Sequence, residues 1–205
     1  MILRVLIFIA LSFSLSACLP AIFTAATTTG IVASKDQPMS ETLNDSRISA
    51  SIKADLVKNN FRDLGAKIKV EVSQGRVLLT GNIQKESDAL KAVEIAWNQK
   101  SVKEVINELK VNKNSNHFDL AQYTKDSMIT TQIKAKNLVR KDIKFANYTI
   151  LTIDNIVYLF GVARSKEELE KLASIASKIK GVEKVVCYAK IMNNFNTNND
   201  NSEES

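Results

Sequence analysis

The octapeptide Ser46 to Lys53, SRISASIK, returns 81 residues later as SMITTQIK, Ser127 to Lys134. Val77 to Gly81, VLLTG, returns at an offset of 80 as VYLFG, Val157 to Gly161. At the same offset Ser101 to Val111, SVKEVINELKV, returns as GVEKVVCYAKI, Gly181 to Ile191. Three blocks in one order, with a single one-residue slip, mean that one unit of about seventy residues is written twice. Each copy must therefore close its own small core.

Hydrophobic period assigns the elements of each unit. Ile48, Ile52 and Leu56 recur at four-residue spacing, as Ile129 and Ile133 do in the second copy, and predict an amphipathic helix. Ile68, Val70 and Val72 then alternate with polar residues, Gln74-Gly75 punctuates, and Val77 to Leu79 follows, which is a hairpin. Asp154-Asn155 fills the same turn in the second copy, and both residues tolerate the left-handed backbone it requires. Gly81 and Gly161 mark a sharp exit or an unusual backbone angle after the second strand. A second helix follows, with Leu90, Val93 and Trp97 expected on one face in the first copy. In the second copy Ser165 is the expected N-cap and Glu168 the completion of a capping box. A last strand, Val102 to Val111 or Val182 to Met192, closes each unit. The order helix, strand, strand, helix, strand puts two helices on one face of a small mixed three-stranded sheet, an α+β fold.

Outside the repeats, residues 1–17 have the layout of a secretory signal: Arg4, then an uncharged apolar run, then small residues before Cys18. A membrane span needs about 20 apolar residues, and this run is shorter unless it continues through Pro20 and the Thr-rich stretch beyond. The tetrad Leu15-Ser16-Ala17-Cys18 resembles the lipobox of bacterial lipoproteins, which implies acylation of Cys18 after cleavage. Residues 18–45 then read as a flexible tether, 46–112 as the first domain, 113–122 as a linker, 123–192 as the second domain and 193–205 as a disordered polar tail. Cys187, in the apolar run Val185 to Ala189, is expected to be a core thiol.

Enzyme chemistry finds little to stand on. His117, the sole histidine, sits in the polar linker with only Asp119 near it, and Glu167-Glu168 open a helix, where carboxylates offset the macrodipole. The six glycines are scattered singly, so neither a P-loop nor a dinucleotide turn is present. No cofactor is implied. The net charge of +6 suits nucleic acid as well as anionic lipid, but an exported chain does not meet nucleic acid.

The tandem basic repeat, the V-x-L-x-G blocks, the Ile-Thr-Thr of the second copy and the lipobox together resemble the BON-domain family, in particular its dual-BON outer-membrane lipoproteins. The likeness covers Cys18 to about Met192. It implies an envelope protein, anchored in the outer membrane and facing the periplasm, that binds anionic phospholipid of the phosphatidylglycerol kind. It further implies lipid contacts concentrated on the first helix of the second domain, support of membrane integrity, and no catalysis.

Comparison of the two copies locates that surface. With Ile129 and Ile133 facing the sheet, Met128, Gln132, Ala135 and Val139 line another side of their helix, where the first copy has Arg47, Ser51, Ala54 and Lys58. Lys125, Lys136 and Arg140 stand around this partly apolar stripe, with Lys134 further round. Apolar residues ringed by cations suit an interface with anionic headgroups. The candidate contact set is Lys125, Met128, Ile129, Gln132, Lys134, Lys136, Val139 and Arg140. The same residues are open to a second reading, in which they pack on the other domain or dock an envelope assembly protein or peptidoglycan.

Overall fold

The computed structural model describes residues 35–58, 67–112 and 119–192. Cys18, the signal-like run, His117 and the tail lie outside the described residues. The first unit comprises α1 (Met39–Lys58), β1 (Lys69–Ser73), β2 (Arg76–Ile83), α2 (Glu86–Trp97) and β3 (Glu104–Val111). The second comprises α3 (Leu120–Leu138), a short 3-10 turn (Phe145–Asn147), β4 (Tyr148–Ile153), β5 (Ile156–Ala163), α4 (Lys166–Ser177), β6 (Lys184–Cys187) and β7 (Lys190–Ile191).

In both sheets the central strand pairs antiparallel with the strand before it and parallel with the strand after the second helix. The register is conserved between the copies: Val77 stands opposite Val105, and Val157 opposite Val185. The last strand is continuous in the first unit but interrupted at Tyr188 and Ala189 in the second, so the expected Val182 to Met192 strand is two short pieces. Both hairpin turns have two successive residues at positive φ, Gln74 and Gly75 in one and Asp154 and Asn155 in the other. Two-residue turns of this kind match the right-handed twist of the strands they join.

Gly81 and Gly161 do not end their strands; each lies inside one, at φ +137° and +128°. A Cβ there would lie 2.0 Å from the Lys67 carbonyl oxygen or 2.2 Å from that of Asn147. Glycine is required because backbone leading into the neighbouring strand passes where a side chain would stand.

Helices cover one face of each sheet, and the two domains cover each other's remaining faces. Val77, Leu79 and Ile83 of β2 join Ile48, Ile52 and Leu56 of α1 in the first core, and Val157, Leu159 and Ala163 of β5 join Ile129 and Ile133 in the second. The alternate residues, Leu78 of β2 with Tyr158 and Phe160 of β5, form a third cluster between the sheets. The result is helices, sheet, sheet, helices. This explains why β2 and β5 are buried almost throughout, where a strand with one wet face would alternate.

Arg76 fastens the seam: its Nε donates to Glu104 at 2.7 Å, its Nη1 donates to the Tyr188 carbonyl at 2.7 Å, and its guanidinium lies over the Phe160 ring. Glu108 accepts from both Tyr158 and Tyr188 across the same interface.

Several expectations need correction. Helix α1 starts at Met39, seven positions before Ser46, and the chain is already fastened ahead of it, so residues 35–45 are not tether. The Asp36 amide donates to Asn147 Oδ1 at 2.9 Å, and Asn147 Nδ2 donates back to Asp36 at 2.9 Å. On α2 the buried face is Ala89, Ala92, Ile95 and Ala96, with Val93 partly buried, while Leu90 and Trp97 are exposed. Small residues let that helix approach the sheet closely, and bulk misled the period. Cys187 is exposed: it shares the face of the core residue Val185 but ends β6, the outer strand of its sheet path, and partial burial raises its thiol pKa. Ser165 caps α4 by accepting from the Glu168 amide at 3.2 Å. The box is only half formed: the Glu168 carboxylate accepts from Tyr148 and Arg164 instead.

Candidate functional site

Helix α3 is capped by Asp119, whose side chain accepts from the Gln122 amide at 2.9 Å. One turn on, the buried carboxylate of Asp126 accepts from the backbone N–H groups of Asp154 and Asn155 and from Gln122 Nε2. These bonds tie the helix to the β4–β5 turn and fix its rotation. Ile129, Ile133 and Asn137 consequently point inward.

Three faces of α3 divide the predicted contact set. Ile129 is 2% exposed and belongs to the core cluster, so it cannot touch a ligand and leaves the set. Met128 is 59% and Val139 83% exposed, and Gln132 and Ala135 are also exposed, so the outward stripe stands free. Leu138, at 76%, is exposed beside that stripe, on the flank one turn beyond Lys134; the comparison of the copies missed it because its counterpart Val57 is apolar too. Lys125 and Lys136 are exposed on the same helix.

Arg140 lies beyond the C-cap Val139 and is held by Asp142 through two bonds of 2.7 and 3.0 Å. That hydrogen bonding lowers the Asp142 pKa to about 2, and Lys171 adds a contact at 3.4 Å. The Arg140 charge is thus partly answered within the protein.

Lys134 belongs to a third face. With Ser127, Thr130 and Thr131 it lines a groove of ≈ 1090 Å³ against β4 and the Lys69 side of β1, in the first domain. Thr130 and Thr152 hydroxyls bond across its floor at 2.7 Å. Asn137 takes the core position held by Leu56 in the first copy; its Nδ2 donates to the Ile133 carbonyl, and its buried Oδ1 has no hydrogen-bond partner among the described residues. The last turn of α3, directly beneath Leu138 and Val139, therefore rests on a less apolar base than α1 does.

Among the described residues no group of three or more His, Cys, Asp or Glu side chains is placed to hold a metal ion, and no helix is long and apolar enough to cross a membrane. The exposed feature that separates the two copies is the stripe on α3.

The model of the BON domain matches residues 44–113 and again 125–193. The chain belongs to the BON-domain family. BON domain 1 and BON domain 2 are thus the two repeats, and their order of elements is that of the sequence blocks. The chain is 38% identical over 149 residues to the "Uncharacterized protein in gshII 5'region" of Anaplasma centrale, covering 73% of this chain and 95% of that protein. It is 28% identical over 172 residues to the outer membrane lipoprotein DolP of Haemophilus influenzae, covering 84% of this chain and 87% of that protein. It is also 30% identical over 144 residues to the osmotically-inducible protein Y of Escherichia coli, covering 70% of each.

Proposed function

We propose that this is a non-enzymatic, lipid-anchored protein of the outer membrane, facing the periplasm, that binds anionic phospholipid through the outer face of α3 and supports membrane integrity. The observation that carries the reading is the outward stripe of Met128 and Val139, with Leu138 on its flank, beside Lys125 and Lys136. Large exposed apolar side chains gain by entering the acyl boundary, and each flanking cation contributes about 1 kcal/mol at an anionic surface. The likeness to an outer membrane lipoprotein, together with the lipobox-like tetrad before Leu19, supports the address and the role of Cys18. Acylation supplies attachment, and α3 supplies selection of the lipid.

The test is flotation of a form lacking residues 1–18 with phosphatidylglycerol-containing vesicles and with phosphatidylcholine vesicles. The expected result is a preference for the anionic vesicles, reduced by Met128→Ser with Val139→Ser and, separately, by Lys125→Gln with Lys136→Gln. Equal binding to both vesicles would sink the proposal. A photoreactive residue at position 128 should give lipid adducts in cells; protein adducts would carry the docking reading instead.

A further inference from the structure

The sheet of BON domain 2 has an open edge at β4, which pairs with β5 on one side only. Ile153 and Ile156 flank the two-residue turn, where the facing residues exchange both main-chain bonds. Alternation along an antiparallel ladder then leaves the N–H and C=O groups of Ile150 and Thr152 pointing away from β5. Both residues are buried through side chains that face α3, Ile150 in the core and Thr152 against Thr130. Yet both line the groove of ≈ 1090 Å³, so what they present to it is the strand edge.

The two copies treat this edge differently. In domain 1 the Ser49 hydroxyl, on α1, donates to the outward carbonyl of Val70 at 3.3 Å. Thr130 and Ile150 are the equivalent pair in domain 2, but the Thr130 hydroxyl bonds that of Thr152 at 2.7 Å instead. The Ile150 carbonyl therefore lacks the helix donor its counterpart has. Among the described residues no other group hydrogen-bonds the outward N–H and C=O groups of Ile150 and Thr152. Main-chain groups left open at a groove floor need partners, and donors and acceptors at strand spacing are matched by another strand.

The groove has room for one. Ser127 and Thr131, one turn apart on α3, wall it on the helix side, and Gly81 and Asn82 of β2 stand on the side of domain 1. These side chains are short, so the alternate residues of an inserted strand, which point to opposite walls, are accommodated. The notch of domain 1 that corresponds holds only ≈ 350 Å³. Charge is balanced, with Asp119, Asp126 and Asp154 lining the groove alongside Lys67, Lys69 and Lys134. That balance disfavours a polyanion and complements a segment without net charge, recognised through its main chain.

We propose that the β4 edge is a docking site for an extended peptide segment of a partner protein, about five residues long and without net charge, which pairs with Ile150 and Thr152 as an added strand. Neither Met128 nor Val139 lines this groove, so the site is separate from the outer stripe and does not rest on the membrane reading.

The experiment applies a library of acetylated, amidated seven-residue peptides, with Thr or Val at alternate positions and uncharged residues varied between them, to the full chain in neutral detergent. Binding is read by calorimetry and by hydrogen exchange at single amides. Selected peptides should bind saturably and slow exchange at Ile150 and Thr152. Two adjacent central prolines in the peptide, one of which falls where a donor is needed, should weaken binding by about tenfold or more. Thr131→Trp, which fills the groove from an exposed helix position, should do the same, with Ser127→Trp as the second such variant. Met128→Ser with Val139→Ser should leave binding unchanged. Absence of any binding peptide, binding that leaves exchange at Ile150 and Thr152 as before, or undiminished affinity for the proline peptides or in the tryptophan variants overturns the proposal. Protection of the same two amides by raised protein concentration alone also overturns it, since the occupant is then a second copy of this chain.

Discussion

Asp126 Oδ1 accepts the backbone N–H of Asn155 at 2.9 Å, and Oδ2 accepts that of the preceding Asp154 at 2.8 Å. Asp45 makes the same pair of bonds to Gln74 and Gly75 in the first domain, both at 2.8 Å. Each carboxylate holds a turn whose two residues have positive φ, and each joins the first helix to the hairpin. Removing a charged acceptor strands two amides and frees the turn. Asp126→Ala should therefore cost about 2–3 kcal/mol in urea unfolding, with Asp126→Asn intermediate.

Gly161 is tighter still. An added methyl group would meet the Asn147 carbonyl oxygen at 2.2 Å, and that oxygen belongs to backbone leading into the paired strand. Movement of one requires movement of the other, so the clash cannot be relieved by a rotamer change. Gly161→Ala is expected to destabilise by about 3 kcal/mol or more, and Gly81→Ala similarly, read from denaturation midpoints.

Those two features show what the sequence made legible and what it did not. The repeat exposed the hairpins and the glycines because turns and close backbone approaches demand particular residues. It also contained Asp45 and Asp126, each immediately before the quoted serine, but a carboxylate at a helix surface looks solvated until the turn it reaches is known. Alanines hid the buried face of α2, since period reading follows bulk and the packing there needed smallness. Met39 to Asn44 extend α1 without an Ile or Val period, so the helix start was invisible. Lys134 stood in the contact set, though further round the helix than the stripe, because nothing in one copy's sequence shows where the other domain will lie. The seam is a product of packing between the two domains.

Packing between the sheets should make the two domains unfold together. Arg76 joins Glu104, the Tyr188 carbonyl and the Phe160 ring in that interface. Arg76→Ala removes all three contacts and leaves a carbonyl short of its donor, a loss of about 2–3 kcal/mol. Scanning calorimetry should show one transition for the parent chain, and a lower, broader or divided one for the variant. A divided transition locates the loss in domain coupling, whereas a uniform shift would place it within one core.

High pH should act on the same interface. Tyr158 and Tyr188 both donate to Glu108, and Tyr188 is pushed up to about 12 by that bond first, then by burial and the nearby charge. Burial, reinforced by Glu108, also raises Tyr158. A phenol held above its ordinary value of 10.0 favours the folded state while it is protonated. That contribution is complete below pH 10 and disappears as the pH climbs through the folded value, because the ionised phenols must face a carboxylate across a dry seam. Stability followed by urea unfolding should therefore fall between about pH 10 and 12. Tyr188→Phe should be less stable than the parent at neutral pH and show a shallower decline above pH 10. An unchanged slope in that variant would show that the alkaline loss arises elsewhere.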